Sequence, residues 1–338
     1  MKALVYTRPY HLEMQELPRP QVRPDEVLLR VRAAGVCGSD LDGFLGKSKK
    51  RIPPLVLGHE FCGEVAETGK AVTQYRPGDS VAVYPLIACG HCRLCKSDRE
   101  NICPDRKVYG LDFHGALAEF VSVPEHCLFR IPAGMSYPTA SLVEPLANAI
   151  NVMKKCPQVE GQTGLVYGAG PIGMFIFLVA KHLGASRLAV VDLNPHRLSL
   201  LKQLGADLAV NASEKDPVDA LLEWSHGNGA DFSIDAVGSR VCRQNTITCT
   251  AWGGTSVWIG LSESTSEIDA RFVVTREVQI KGSYAYTKKD FAQALALLEQ
   301  KALPADALIS VSQLEQGQKI FDDLASGQTS IMKAVFLV

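Results

Sequence analysis

LVYGAGPIG, running from Leu165 to Gly173, decides the architecture of this chain. A β-branched apolar run leads directly into G-x-G-x-x-G, which in turn opens an apolar stretch of helical length. Alone the glycine pattern is a weak signal, but between a strand and a helix it is the turn that receives a dinucleotide. Gly168 permits the tight turn, Gly170 lets a pyrophosphate approach the backbone, and Gly173 lets the helix pack close to the sheet. Pro171 suits the first helical turn, where its missing N–H costs nothing, and Ile172 completes the pattern. Free N–H groups at the helix start are then available to phosphates. Asp192 ends the next strand, about twenty residues on, where a carboxylate accepts from the adenosine ribose and repels a 2′-phosphate, favouring NAD over NADP. Asn194 and Pro195 supply the cap and first turn of the following helix, so capping does not require Asp192. Arg197 lies either along the adenosine or on the surface.

Working outward, strands and helices alternate from about Gly164. RLAVVD, LAV, FSIDAV, TSVWIG and EVQIKG follow LVY, making six strands and predicting an α/β, doubly wound parallel sheet. Before residue 150 the rhythm is different. MKALVY, EVLLRVRAAG, GDSVAVYP and LAEFVSVP are short runs punctuated by Pro and Gly, which predicts an antiparallel β domain. Beyond Ser283 come helices over Asp290–Glu299 and Leu314–Leu324 and a last strand, MKAVFLV, expected to return to the first domain. The expected division is therefore 1–147 with 284–338, and 148–283.

With 338 residues the chain is long enough for two domains. Its formal net charge of -1, with no acidic or basic tail, argues against a nucleic-acid partner. MKALVYTRPY lacks the apolar core of a signal peptide. The apolar run near Ile172 to Ala180 is too short for a bilayer, so no membrane association is expected. These features predict a soluble, cytoplasmic protein.

Four of the ten cysteines fall in CGHCRLCKSDRENIC, Cys89 to Cys103. C-x2-C-x2-C-x7-C supplies four thiolates, enough to close a tetrahedral zinc. A closed shell cannot take substrate, so Cys89, Cys92, Cys95 and Cys103 are expected to pin a lobe near 86–105 that lacks its own core. A redox pair is a poorer reading of four ligands. Of the scattered cysteines, Cys62, Cys127, Cys156, Cys242 and Cys249 read as small buried hydrophobes.

Cys37 is the exception. Cys37-Gly38-Ser39-Asp40 precedes Gly58-His59-Glu60, with Gly63, Gly69 and Val72 following at fixed spacing. With the cysteine cluster and the glycine turn, these motifs resemble the zinc-containing medium-chain dehydrogenase/reductase family, its alcohol and polyol dehydrogenases, over essentially the whole chain. The resemblance implies a GroES-like catalytic domain beside a Rossmann domain, and two zinc ions, one catalytic and one structural. It implies Cys37 and His59 as catalytic-zinc ligands, with Asp40 orienting His59. Leu142-Val143-Glu144-Pro145-Leu146 looks like the sorbitol dehydrogenase and related polyol and diol branches, in which Glu144, Glu60 or a water between them completes the shell. Ser39 matches the hydroxyl that starts the family's proton relay. Asp42 stands where many members carry His, so the proton leaves by water or by Glu144.

The implied reaction is hydride transfer from an alcohol to NAD, giving a ketone or aldehyde, with the metal lowering the alcohol's pKa. The glutamate-type shell points to a secondary alcohol, a polyol or sugar alcohol with or without phosphate. L-threonine 3-dehydrogenase and 2,3-butanediol dehydrogenase activities are the alternatives, and a non-enzymatic coenzyme-binding relative is the reading of a different class. Tyr286 matches the polyol enzymes' substrate tyrosine, while Ala285 replaces their Arg. Phe113 and His114 lie on a segment that can line the cleft. Lys47-Ser48-Lys49-Lys50-Arg51 is either a phosphate-binding edge of that cleft or a solvated loop. A homodimer or homotetramer is expected on the same resemblance.

Overall fold

A computed structural model describes residues 1–327 and 329–338. The chain divides into two units, Met1–Glu144 with Thr287–Val338, and Pro145–Tyr286.

In the second unit, β-branched runs form one six-stranded parallel sheet. Across it lie Leu208–Asn211, Arg187–Asp192, Thr163–Tyr167, Ala230–Asp235, Thr250–Trp258 and Gln279–Gly282. Numbered along the chain within this unit, that order is 3-2-1-4-5-6, the doubly wound arrangement. Thr163–Tyr167 has Arg187–Asp192 on one side and Ala230–Asp235 on the other, so the strand order reverses beside it. The glycine turn leaves this strand at the topological switch point, where such sheets bind ligands. Gly168 has φ +95°, and a Cβ on Gly173 would lie 1.7 Å from the Gly168 carbonyl oxygen. Neither position accepts a side chain without rebuilding the turn. Helix Pro171–His182 follows, buried continuously from Gly173 to Ala180.

The first unit is built on a seven-stranded, mainly antiparallel sheet. Its main path runs Leu128–Arg130, Ser80–Val83, Glu60–Thr68, Glu26–Gly35, Lys333–Leu337 and Ile309–Gln313, and Phe120–Pro124 also pairs with Glu26–Gly35. The last strand, expected to return to the first domain, pairs antiparallel with Glu26–Gly35. Ile309–Gln313 has no counterpart among the predicted strands. Its sequence, ISVSQ, is polar at three of five positions and its residues stay partly exposed, as a strand at a sheet edge allows. A smaller sheet joins His11–Glu16, Lys2–Arg8 and Leu55–Val56. The core between them includes Leu4, Tyr6, Leu29, Phe44, Phe61 and Phe336, each at most 1% exposed. Each such side chain contributes roughly 1.5–3 kcal/mol by leaving water. No helix among the described residues is long and apolar enough to cross a membrane.

Candidate active site and metal centres

Strand register assembles the first cluster. Glu60 opens its strand directly opposite Gly35, and Val335 of the last strand pairs with Gly35 as well. Cys37 lies just beyond Gly35 and caps the helix Gly38–Phe44. Donor atoms of Cys37, His59 and Glu60 thereby come within 4.8 Å of one another. Thiolate, imidazole and carboxylate form a donor set suited to a catalytic zinc with a position left open.

The surroundings of the cluster orient it. Asp40, fully buried, accepts the Cys37 backbone N–H through Oδ2 at 3.1 Å, and its Oδ1 lies 3.4 Å from His59 Nδ1. Nε2 of His59 is left to face a metal, the arrangement by which an acid behind a histidine fixes its tautomer. Burial opposes the charge on Asp40, yet the facing His59 and Arg51 hold its carboxyl well below the usual range. Burial likewise opposes a charged His59, but Asp40 and Cys37 outweigh it and hold the imidazole well above its usual value. The same negative surroundings favour a cation at Nε2, so a bound metal would take the place of that proton.

Two buried cations complete the cluster. Lys333 is 1% exposed, and its Nζ donates to Glu60 Oε2 and, at 2.9 Å, to the Val36 carbonyl. Arg51 is 8% exposed, and its Nη2 donates to Ser39 Oγ at 3.0 Å and lies 3.5 Å from Asp40 Oδ1. Sequence reasoning missed the role of Lys333. A lysine opening a strand that is otherwise apolar and buried was the available signal, because such a charge needs a buried partner. The basic run divides: Lys47, Lys49 and Lys50 are exposed and Arg51 turns inward. Ser39 is half-buried and Asp42 exposed. Glu144 is buried in the first turn of helix Val143–Met153 and does not join the donor group.

Cys89, Cys92, Cys95 and Cys103 form a second cluster, all within 4.8 Å. The Sγ separations are 3.5 Å for Cys92–Cys95 and 3.9 Å for both Cys89–Cys95 and Cys92–Cys103. A tetrahedron with Zn–S bonds of about 2.3 Å has edges of about 3.8 Å, whereas a disulfide bond is about 2.05 Å. The thiols fit a closed zinc shell. Backbone N–H groups of His91 and Cys92 pull the Cys89 thiol down to about 6. By contrast, burial pushes Cys127, Cys156 and Cys249 up to about 12, which suits inert core thiols.

In the second unit, Asp192 Oδ2 accepts the Ala169 N–H at 2.6 Å, and Oδ1 accepts the Asn194 N–H at 2.8 Å. Its carboxylate thereby ties the glycine loop to the next turn. Asn194 caps its helix as expected, accepting from the N–H groups of His196 and Arg197. Arg197 is half-buried, with Nη1 3.7 Å from where a Cβ on Gly170 would stand, so its guanidinium lies along the glycine loop. Apart from it, nothing crowds Gly170, which leaves room for a phosphate. Pro171 and Ile172 open the helix. Tyr286 is 1% exposed, and the neighbouring Ala285 carbonyl accepts from Asn151 Nδ2 at 2.7 Å. Phe113 and His114 line an open groove of about 1000 Å³ in the first unit, together with Arg19, Tyr109 and Phe120. Cys37, His59 and Glu60 are not among its lining residues, so Phe113 is not brought to the metal donors.

Residues 23–133 match the alcohol dehydrogenase GroES-like domain, and residues 171–300 match the zinc-binding dehydrogenase domain. An L-threonine 3-dehydrogenase of Chelativorans is 36% identical over 92% of this chain and 91% of its own. A sorbitol dehydrogenase of Bacillus subtilis is 33% identical over 85% of this chain and 82% of its own. The crystal structure of a 2R,3R-butanediol dehydrogenase from Bacillus subtilis superposes with a TM-score of 0.91 at 29% identity, covering all of this chain and 99% of that one. Two domain matches in the order found here, with relatives above 30% identity along most of the chain, place it in the zinc-containing medium-chain dehydrogenase/reductase family, whose members are oxidoreductases using zinc and a nicotinamide coenzyme.

Proposed function

We propose that the chain oxidises the secondary hydroxyl of a polyol or sugar alcohol, with or without a phosphate, to a ketone, with NAD as hydride acceptor. The observation that carries this reading is the convergence of Cys37, His59 and Glu60 donors within 4.8 Å. Bound zinc supplies the Lewis acidity that makes an alcohol acidic near neutral pH, and bound nicotinamide takes the hydride. Cys37 and His59 hold the metal, and Asp40 keeps the His59 ring turned towards it. Glu60 lies among the donors and Glu144 does not, so Glu60 or a water is better placed than Glu144 to complete the shell. Ser39 takes the alcohol's proton, and the exposed Asp42 lies one helical turn further on, towards solvent. The four-cysteine lobe holds a second, structural zinc.

The Glu144-Pro145 pair and the sorbitol dehydrogenase relative support a polyol. A second reading, L-threonine, is favoured by the 36% identical threonine dehydrogenase, and threonine too carries a secondary hydroxyl. An NAD-linked activity screen over sugar alcohols, their phosphates, diols and threonine decides between them. Activity on threonine alone, or on none of these, defeats the polyol reading. NAD is favoured by the Asp192 carboxylate at the ribose position. Asp192→Ala should lower the NAD-to-NADP preference about tenfold, and an unchanged ratio removes that role. A dimer or tetramer is expected, to be checked by light scattering.

A further inference from the structure

We propose that Arg51 is a positioning residue that holds the Ser39 hydroxyl with one acceptor and one donor site free for proton transfer. The inference rests on the reading of Ser39 as the group that takes the alcohol's proton. A serine hydroxyl has one proton to donate and two lone pairs to accept with. A guanidinium carries donors only and stays protonated at any physiological pH. In the bond between Arg51 Nη2 and Ser39 Oγ, 3.0 Å long, the serine must therefore be the acceptor. One lone pair is consumed, and one acceptor site and one donor remain. Ser39 can then receive from the alcohol oxygen and pass its own proton onward, but it cannot turn its hydrogen back towards Arg51. No bond changes at Arg51, and the proton that leaves Ser39 is replaced by the one it receives.

The surrounding chain is shaped to hold this arginine. Asp40 Oδ1, 3.5 Å from Nη2, supplies the counter-charge that a buried guanidinium requires. Ser48 Oγ accepts the Arg51 backbone N–H at 3.3 Å, turning the residue out of the lysine run. Gly43 makes room for the stem, since a Cβ there would lie 2.5 Å from Arg51 Cδ. A cation built for an external anion would not be neutralised by a carboxylate of its own chain. The exposed lysines beside it make no such contacts with the cluster.

The test is a double-mutant cycle on the zinc-loaded protein with NAD+ bound, read by the affinity for trifluoroethanol, an alcohol that is not oxidised. Arg51→Met and Ser39→Ala should each weaken trifluoroethanol about tenfold, the scale of a hydrogen bond with a charged partner. The double variant should be no weaker than the weaker single one, because Arg51 acts through Ser39. Arg51→Lys, which keeps a donor and the charge, should recover affinity to within about threefold of wild type. Additive effects overturn the proposal, as does loss of zinc from Arg51→Met, which would assign Arg51 to Asp40 and His59 alone. Absence of trifluoroethanol binding by the wild-type protein also overturns it. Coupling with turnover of alcohols other than polyols would leave the Arg51 inference standing and defeat the polyol reading; polyol turnover with additive effects would do the reverse.

Discussion

The two thiol-bearing clusters of the first unit are opposites in construction. Cys89, Cys92, Cys95 and Cys103 come from fifteen consecutive residues and present four like donors, of which Cys103 is buried and the other three are partly open to solvent. Cys37, His59 and Glu60 come from two strand ends, present three different donors, and are backed by buried Asp40, Arg51 and Lys333. A closed shell of thiolates needs little from its surroundings, because the ligands satisfy the ion. A site that leaves a position free must hold each ligand by its second contacts, and so it recruits charges from distant chain segments. Local spacing therefore marks the cluster that staples the fold, and long-range pairing marks the one proposed to do chemistry.

The largest effect should follow from the isolated cysteine. Cys37→Ser should lower turnover about a thousandfold or more while NADH fluorescence titration stays unchanged; retained turnover would collapse the contrast. Next comes Lys333→Met, which leaves the Glu60 carboxylate buried and uncompensated. Urea unfolding should show a loss of about 3–5 kcal/mol after chelation and a smaller loss with zinc present, since the ion replaces the lost charge. Equal losses in both states would mean that Glu60 does not feel the metal. Cys103→Ser should reduce bound zinc from two ions to one per chain and cost on the order of a few kcal/mol, with turnover retained at low temperature. Unchanged metal content would remove the lobe as a site. The smallest effect belongs to Lys289, whose ion pair to Asp98 at 2.6 Å ties the lobe to a helix start. Both side chains are at least 70% exposed, so Lys289→Ala should leave the urea midpoint nearly unchanged. A clear fall in the midpoint would show that the lobe is held by its surroundings after all.

What could be read from the sequence follows the same division. The glycine turn, the cysteine lobe and the six-strand rhythm are local patterns, and the sheet order and the thiol tetrahedron agree with them. Cys37 and His59 became legible through the family's motifs, not through their own chemistry. Lys333 did not become legible, because its partner is 273 residues away and periodicity says nothing about pairing at that range. Arg51 was read as one more charge in a basic run, because the inward turn depends on Gly43, Ser48 and Asp40 together. Asp192 was read for the ribose alone, although its carboxylate also binds the loop it faces.

The Glu60–Lys333 pair has a consequence for biosynthesis. At translation speeds of about 5–20 residues per second, those 273 residues take roughly a quarter of a minute to one minute to emerge. Throughout that interval the nascent chain already carries Cys37, His59 and Glu60, but their balancing lysine does not yet exist. Until then water, the basic run already made, or a dication must balance the acidic strand end. The sheet closes around the site only when the last strand arrives and brings its ammonium to the waiting carboxylate.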